Sequence, residues 1–479
     1  MSFFSYVWGY FKTNRFTLHL FLVLLALSVL KYLKVPPIVR GKKLLFLILF
    51  LGLLLRVLWI GFSSHEPHTS WNPAGTKEWD IINTHAAELT KGIWFKDANG
   101  EPMARRPIGY PMLLGLCYKI FGIHRVVAQG LHLLLYLACG CLIFLMARLI
   151  FNERTALIAA FIFSVYPTSI YSIVLTYDEH LFLPLWYLGL YLLLKEINGV
   201  KIRWALVWYG LIFGYAAMTR THVVFMPLVV GFAYLLLKKP WNKVLLGIIS
   251  VFLVMQLINL PWLIRNYKAW GVPIVYTTSA GYVYCYFNSY ATPEGGGHIP
   301  KRGEIGFSEE LDRALASNHS ALAASLCNKE MARWMVQHPL EFISLGTKRV
   351  LVFMGWNRAG GVWPLWFQFY EGAYDPARPV SPELKEVFQE LAFSFYYSLL
   401  FCFLAGVVYW VRQFKNISVK ANRGALVIGA CLFLWLCEHM IIFPDRKYRF
   451  PLEPLMMLWA AYFLEFMMFK FQWVKPRRL

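Results

Sequence analysis

The sequence carries little charge for its length. Only 15% of its 479 residues are Asp, Glu, Lys or Arg, whereas 58% are hydrophobic and the mean hydropathy is +0.50. A soluble globule of this size needs far more polar surface, so the composition excludes that class. The apolar residues also lie in long blocks, and a helix of about 20 apolar residues crosses a bilayer. The sequence therefore predicts an all-α polytopic membrane protein.

Several further features are scarce or missing. The run Gly295–Gly297 follows no predicted strand, so it is not a nucleotide-binding loop, and no domain for a soluble nucleotide sugar is apparent. There is no internal repeat, which disfavours a transporter. The net charge is +21, but no basic-aromatic module is present, so no nucleic-acid partner is expected. Most of the 8 Cys lie in apolar blocks, and a disulfide between Cys285 and Cys327 is left open.

The apolar blocks predict about 11 transmembrane helices. They are assigned to 16–33, 43–62, 125–147, 155–176, 180–195, 203–219, 221–237, 243–264, 391–411, 424–443 and 450–470.

Lysine and arginine fix the predicted orientation. They concentrate in alternate connections, among them 31–43, 195–203, 238–243 and 412–423. Positive residues favour the cytoplasmic side, so these connections are placed in the cytoplasm of a multi-pass protein of the cell (inner or plasma) membrane. Segments 63–124 and 265–390 then form two large outer loops of a single domain, 1–479. Within the second loop, 308–338 is predicted as an amphipathic helix that Pro339 ends.

A set of cations departs from this charge pattern, because it maps to the outer membrane boundary. Guanidinium groups bind phosphate oxygens in pairs, so the set suits the phosphate of a lipid carrier. Contact with lipid headgroups, or an ion pair with Asp445, is the alternative for any one member. The predicted phosphate-binding residues are Arg105, Arg106, Arg220, Arg265, Arg446, Lys447 and Arg449.

Carboxylates near the same boundary are candidate catalytic groups. Glu78 and Asp80 lie in the first outer loop, and Asp178 and Glu179 lie at the outer end of a tight turn. A carboxylate beside an acceptor hydroxyl can remove its proton during an inverting sugar transfer, while cations stabilise the departing lipid phosphate. The alternative for Asp178 and Glu179 is charge at a helix N-terminus.

Metal ligands are sparse. His65, Glu66 and His68 lie close together, but no third ligand site is evident, and solvent-exposed loop residues are the favoured reading. No cofactor is expected to be required, with a divalent metal optional. Glu438 and His439, near the outer end of a span, are predicted either to contact substrate or to pair within the bundle.

An ordered set of motifs resembles the bacterial GT-C glycosyltransferases of the dolichyl-phosphate-mannose protein mannosyltransferase and aminoarabinose transferase type. The motifs are the acidic loop from Asp80, R-R-P-I-G-Y-P at 105–111, the acidic turn at Glu179, A-M-T-R at 217–220, P-W-L-I-R-N-Y at 261–267 and Y-R-F-P-L-E-P at 448–454. The chain departs from the pattern at Ile108 and Thr84.

The resemblance implies a GT-C-type bundle whose outer loops contain amphipathic helices. It implies that Asp80 is the catalytic base or its orienter, with Glu78 as an alternative. Arg265 and the basic turn at 445–449 would hold the phosphate of the sugar donor. Tyr110 and Tyr267 of these motifs are predicted to contact substrate.

The predicted function is transfer of a sugar from a polyprenyl-phosphate carrier to a lipid, glycan or protein acceptor at the extracytoplasmic face. A lipid-linked oligosaccharide polymerase or ligase and a lipid-glycan transporter are the alternatives.

Overall fold

The computed structural model describes residues 38–63, 78–96, 100, 102–279, 301–303, 307–316, 320–355, 365, 381–442 and 446–470. Within these ranges the chain is helical and contains no β-strand, apart from an isolated bridge between Lys96 and Pro102. The predicted all-α class is confirmed.

The described residues form sixteen α-helices, numbered here in chain order. They are α1 (Ile38–Phe62), α2 (Glu78–Thr90), α3 (Gly109–Phe121), α4 (Arg125–Ile150), α5 (Glu153–Val165), α6 (Pro167–Tyr171), α7 (Glu179–Ile197), α8 (Ala205–Ala217), α9 (Met226–Leu236), α10 (Trp241–Trp270), α11 (Glu309–Ala316), α12 (Ser320–Gln337), α13 (Pro339–Phe353), α14 (Pro382–Gln413), α15 (Val419–Glu438) and α16 (Glu453–Lys470).

Six of these helices are long and apolar enough to cross a bilayer, namely α1, α4, α7, α10, α14 and α15. The pair formed by α5 and α6 is a seventh candidate, although it bends by 52°. The shorter apolar helices α8 and α9 occupy two further predicted spans. A polytopic architecture is therefore supported, while the count of about 11 spans stays a prediction. The predicted span 16–33 lies outside the described residues.

Two predicted segments differ from the structure. The predicted span 155–176 is broken, because α5 ends at Val165 and Pro167 begins α6 in a new direction. Proline lacks the backbone N–H that would continue the first helix. The predicted amphipathic helix 308–338 corresponds to α11 and α12, with residues 317–319 outside the described part of the chain, and Pro339 begins α13 rather than only ending its predecessor. Proline suits the first position of a helix, where its missing N–H has no intrahelical partner.

Burial separates a central group of helices from a peripheral group. Trp186 of α7 and Trp435 of α15 are fully buried and stack with ring centroids 5.0 Å apart. On the outer helices, by contrast, Phe46 of α1 is 67% exposed and Leu257 of α10 is 66% exposed. Apolar faces of this extent are unfavourable in water but suit contact with lipid. The distribution supports a bundle embedded in a membrane.

A buried arginine stabilises the break between α5 and α6. Arg56 of α1 donates hydrogen bonds to Ser164 O at 2.9 Å and to Ser169 Oγ at 2.7 Å. Its guanidinium also lies 3.6 Å from the centroid of the Tyr136 ring. Helix ends leave carbonyl groups without partners, and such groups are costly away from water. Arg56 supplies partners at this bend and thereby links α1 to both α5 and α6.

Candidate functional site

A buried ion pair joins the acidic turn before α7 to the end of α8. Glu179, the first residue of α7, accepts a hydrogen bond from the guanidinium of Arg220, and the two side chains are only 2% and 8% exposed. The backbone N–H of Arg220 donates to Ala216 O at 2.8 Å, which fixes the residue at the helix end. A buried guanidinium is stable when an anion lies beside it. Glu179 therefore holds a charged Arg220 in place.

A second segment brings Arg105 and Arg106 towards Arg220. This segment precedes α3 and pairs with the chain that follows α10. Thr278 N donates to Ala104 O at 2.9 Å, and the Thr277 hydroxyl donates to Arg105 O at 2.6 Å. The backbone on either side of Arg105 is thereby anchored to the chain that follows α10.

A glycine at the start of α3 sets the distance between that segment and α8. Gly109 N donates to Met218 O at 2.7 Å. A Cβ at position 109 would lie 2.8 Å from this oxygen and 2.8 Å from Thr219 Cγ2, closer than real Cβ atoms approach their neighbours. The absence of a side chain thus permits the contact that places Arg106 near Arg220.

These contacts create an open cavity of about 80 Å³. Three of the seven predicted phosphate-binding cations line it. Arg105 is exposed, Arg106 is half-buried and Arg220 is buried. The lining residues are Arg105, Arg106, Pro107, Arg220, Thr221, His222, Thr277, Ser279, Glu438, Ile442 and Tyr448. Since Glu438 is the one carboxylate among these lining residues, the wall of the cavity has a surplus of positive charge.

A histidine–carboxylate pair lies in the same wall. His222 Nδ1 is 2.9 Å from Glu438 Oε1, and the imidazole packs against the indole of Trp435 with ring centroids 4.8 Å apart. Glu438 thus pairs within the bundle, as one of the two alternatives predicted, and it also lines the cavity, while contact with substrate stays a prediction. Sequence reasoning missed His222. Its position two residues after Arg220 was the available signal.

Arg265 does not line the cavity. Its guanidinium donates to Phe95 O at 2.7 Å and to Met103 O at 3.1 Å, and it lies 4.9 Å from the centroid of the Trp262 ring. Arg265 thus has internal partners, and its predicted contact with phosphate stays a prediction. This guanidinium donates to carbonyl groups of the segment before Arg105. Arg265 thereby anchors the segment that leads to Arg105 at the cavity wall.

Two cations of the basic turn before α16, Lys447 and Arg449, are also buried. Arg449 is buried, donates to Glu453 Oε1 at 2.9 Å and to Phe353 O at 3.1 Å, and therefore has internal partners instead of facing the cavity. Lys447 is buried with its Nζ 5.1 Å from the centroid of the Tyr448 ring. Neither residue lines the cavity. The side chain of Arg446 lies outside the described residues, as does Asp445.

The predicted catalytic carboxylates occupy two neighbouring elements. Glu78 and Asp80 lie in the first turn of α2, and their side chains are outside the part of the chain that the structure describes. One helical turn after Asp80, Asn83 Nδ2 donates to Thr176 Oγ1 at 3.1 Å, which ties α2 to the acidic turn before α7. Asp178 in that turn is 1% exposed and is not among the residues that line the cavity.

The two predicted substrate-binding tyrosines have different surroundings. Tyr110 is fully buried, and its hydroxyl donates to His132 Nε2, since the Nδ1–H of that histidine donates to Ile173 O at 2.8 Å. Burial raises the pKa of the Tyr110 phenol well above its ordinary value. Tyr267 on α10 is 57% exposed. Neither lines the cavity, and the hydroxyl of Tyr110 has an internal partner, so the predicted substrate contacts of both tyrosines stay predictions.

In the described part of the chain, no three His, Cys, Asp or Glu side chains come together as a metal site. His65, Glu66 and His68 lie outside the described residues, so the structure does not test them. Cys285 also lies outside them, and Cys327 is a buried free thiol. The expectations about metals and about the disulfide stay predictions.

Comparison with known proteins gives a family match and a fold match. Residues 105–264, about a third of the 479-residue chain, match the model of the dolichyl-phosphate-mannose-protein mannosyltransferase family. This confirms the resemblance inferred from the motifs. No curated protein matches the chain.

Among solved structures, the apo oligosaccharyltransferase of Archaeoglobus fulgidus has a TM-score of 0.51 and 13% identity over 90% of this chain and 51% of its own. AglB of the same organism, in complex with an inhibitory peptide and a dolichol-phosphate, also has a TM-score of 0.51 and 13% identity, over 92% of this chain and 53% of its own. ArnT of Cupriavidus metallidurans, bound to undecaprenyl phosphate, has a TM-score of 0.38 and 14% identity over 87% of this chain and 77% of its own.

The chain spans about half the length of the archaeal proteins that it matches. At 13% identity the likeness concerns the fold alone. The protein thus combines a region that matches the dolichyl-phosphate-mannose-protein mannosyltransferase family with a fold similar to that of archaeal oligosaccharyltransferases.

Proposed function

We propose that this protein is an inverting glycosyltransferase that moves a sugar from a polyprenyl-phosphate carrier to an acceptor at the extracytoplasmic membrane face. The observation that carries the proposal is the meeting of Arg105, Arg106 and Arg220 in one open cavity. These residues come from two separate parts of the chain, and the fold keeps all three at the cavity wall.

The charge of the cavity suits a phosphate. Glu179 offsets part of the charge of Arg220, and Glu438 adds one negative charge against the remaining arginines. A positive surplus therefore remains for an anionic ligand. Planar guanidinium groups bind phosphate oxygens through two parallel hydrogen bonds, which also orients the ligand.

The names attached to the similar proteins agree with this ligand class. The matched family is described by its dolichyl-phosphate-mannose substrate, and the archaeal AglB structure contains a dolichol-phosphate. A lipid-linked phosphate is thus the ligand that the charge and the similarities favour together.

The direction of the helices supports an outer location for the cavity. The acidic turn that opens α7 lies beside the cavity, whereas α7 ends near Lys195 in a connection rich in positive residues. Positive connections favour the cytoplasm, so the cavity belongs at the opposite, extracytoplasmic end of the bundle.

In the proposed reaction, the carboxylate of Asp80 removes the proton of the acceptor hydroxyl as that oxygen attacks the anomeric carbon. Asp178 and Glu78 are the other candidates for this role. The arginines stabilise the charge that develops on the departing lipid phosphate. The mechanism calls for no cofactor, and a divalent metal is optional.

Binding of a polyprenyl phosphate to the full-length protein in nanodiscs tests the phosphate site. Arg106→Gln and Arg220→Gln should each weaken binding by about tenfold or more, because a hydrogen bond to a charged group contributes about 1.5–3 kcal/mol. Arg302→Gln is the matched control, since Arg302 is 85% exposed and outside the cavity. Wild-type affinity in both cavity variants would refute the phosphate site.

Transfer itself is tested in cells that lack the chromosomal gene. Mass spectrometry of cell-envelope glycans should show a modification restored by the wild-type protein and absent with Asp80→Asn at equal membrane expression. Restoration by Asp80→Asn would exclude Asp80 as the base and leave Asp178 or Glu78 as candidates.

An oligosaccharide transferase is the second candidate, because the fold matches archaeal oligosaccharyltransferases. The carrier distinguishes the two. A monosaccharide on a lipid monophosphate supports the first function, and a glycan on a lipid diphosphate supports the second.

A further inference from the structure

The cavity contains a protonatable side chain next to its arginines. His222 lies two residues after Arg220, at the start of the 3-10 turn Thr221–Phe225, so both side chains reach the same cavity wall. Its Nδ1 lies 2.9 Å from Glu438 Oε1 at the end of α15, although the two residues are 216 positions apart in the chain.

Aromatic rings hold the imidazole in position. The His222 ring lies 4.8 Å from the Trp435 ring and 5.2 Å from the Tyr448 ring, which it meets at 64°. His439 lies 5.6 Å away, and its Nδ1–H donates to Trp435 O at 2.8 Å. Packing on these sides restricts rotation of the His222 ring, so its orientation is set before any ligand arrives.

The contact with Glu438 determines which ring nitrogen of His222 has a hydrogen-bond partner within the protein. With Nδ1 on Glu438, the neutral imidazole carries its proton at Nδ1, and Nε2 is the nitrogen that gains a proton when the ring becomes cationic. The groups facing the ring are Glu438 and His439 at the end of α15, Tyr448 in the turn before α16, and Arg220 on its own segment. Glu438 is the carboxylate of this set, and its contact with Nδ1 leaves Nε2 as the ring nitrogen for a ligand.

We propose that His222, positioned by Glu438, is a catalytic acid that contacts the phosphate of the sugar donor and protonates it as the sugar leaves. This inference rests on the proposed function and extends it from holding the phosphate to assisting its departure. It also assigns Glu438 as a positioning residue.

The proposed step is balanced as follows. The acceptor oxygen forms a bond to the anomeric carbon, while the bond from that carbon to the phosphate oxygen breaks and its electron pair stays on the phosphate. The acceptor proton passes to Asp80, and the Nε2 proton of His222 passes to the phosphate. His222 ends neutral, with Nδ1–H still donating to Glu438, and regains a proton from water in the open cavity.

A ligand of fixed charge isolates the contribution of the histidine. The methyl ester of a polyprenyl phosphate is a phosphodiester that keeps one negative charge between pH 5.5 and 8, so a pH dependence of its binding reports the protein. The wild-type protein in nanodiscs should bind it about tenfold more tightly at pH 5.5 than at pH 8, the ratio for one additional charged contact of about 1.4 kcal/mol.

Two variants and a control make the result specific. His222→Gln should abolish the pH dependence, so that its affinities at pH 5.5 and pH 8 agree. Glu438→Gln should weaken the pH dependence, because the imidazole loses the carboxylate that orients it. His124→Gln is the matched control, since His124 is exposed and outside the cavity.

The outcomes separate this inference from the proposed function. A wild-type pH profile in His222→Gln overturns the role of the histidine, while weaker binding in Arg106→Gln would leave the phosphate site standing. Should His222→Gln fail to fold, a wild-type pH profile in Glu438→Gln overturns the pairing instead. If Arg106→Gln and Arg220→Gln bind like the wild type at every pH, the phosphate site itself is refuted and this inference with it.

Discussion

Glu179→Gln should destabilise the protein because it leaves the charged Arg220 side chain buried without its anion. Two unit charges 4 Å apart attract by about 4 kcal/mol at an effective dielectric constant of about 20. Removing one partner of a buried pair costs about 3–5 kcal/mol. Since Arg220 also faces the open cavity, water recovers part of this loss, and we expect a decrease of about 2–3 kcal/mol in the free energy of unfolding.

A double-mutant cycle separates the pair from its surroundings. Arg220→Gln removes the cation, and the double variant Glu179→Gln/Arg220→Gln removes both charges, so neither is left buried alone. The double variant should therefore lose less than the sum of the two single losses, with a coupling energy of about 1.5–2 kcal/mol. The assay is SDS titration of the purified protein in mixed micelles, followed by circular dichroism.

A second ion pair gives the control cycle. Lys239 Nζ and Glu196 Oε1 are 2.6 Å apart, but the lysine side chain is 31% exposed. Exposed pairs contribute about 0.2–1 kcal/mol, so the coupling between these two residues should be smaller. If the losses in the free energy of unfolding at Glu179 and Arg220 add, so that their coupling is no larger than in the control cycle, the buried pair does not hold the arginine.

Two further substitutions test how the site is assembled. Gly109→Ala places a Cβ 2.8 Å from Met218 O and therefore pushes α3 away from α8. This substitution should lower the free energy of unfolding by about 1–3 kcal/mol and weaken polyprenyl-phosphate binding. Tyr110→Phe removes the hydrogen bond to His132 and should lower the free energy of unfolding by about 1–3 kcal/mol. Its polyprenyl-phosphate affinity should be unchanged, because Tyr110 is buried away from the cavity. Both quantities are measured by the SDS titration and the nanodisc binding assay described above.

Each of these substitutions has a matched control. Gly130→Ala on α4 adds a Cβ with no atom within 4 Å, so it should stabilise the helix by up to about 1 kcal/mol. Tyr267→Phe removes a hydroxyl from a side chain that is 57% exposed and should change neither quantity. If Gly109→Ala behaves like Gly130→Ala, the close contact does not position the site. A loss of affinity without a loss of stability in Tyr110→Phe would restore the predicted substrate contact.

Sequence reasoning predicted the helices well where hydrophobic length was decisive. The predicted span 180–195 corresponds to α7, and 424–443 overlaps most of α15. At 155–176 the structure has a bent pair of helices, because the apolar pattern continues across Pro167 while the backbone cannot continue as one helix. Hydropathy is insensitive to such a break, since the side chains on both sides remain apolar.

The candidate site was only partly predictable. All seven cations have the charge that a phosphate site requires, yet Arg265 and Arg449 have internal oxygen partners. Which oxygen a guanidinium reaches depends on elements far away in sequence. Arg449, for example, donates to the carbonyl of Phe353, a residue 96 positions away. Charge at a boundary therefore identified candidates without distinguishing cavity residues from structural ones.

The sequence by itself determined the helical membrane class, the order of most helices and the end of the bundle at which unusual cations gather. These properties are local, because they follow from the length of apolar runs and from the positions of lysine and arginine relative to a bilayer. Only the tertiary structure decided that Arg105, Arg106 and Arg220 share a cavity, and that His222 meets Glu438 across 216 positions. Such contacts between distant residues depend on how the helices pack, and close approaches such as that of Gly109 to Met218 determine this packing.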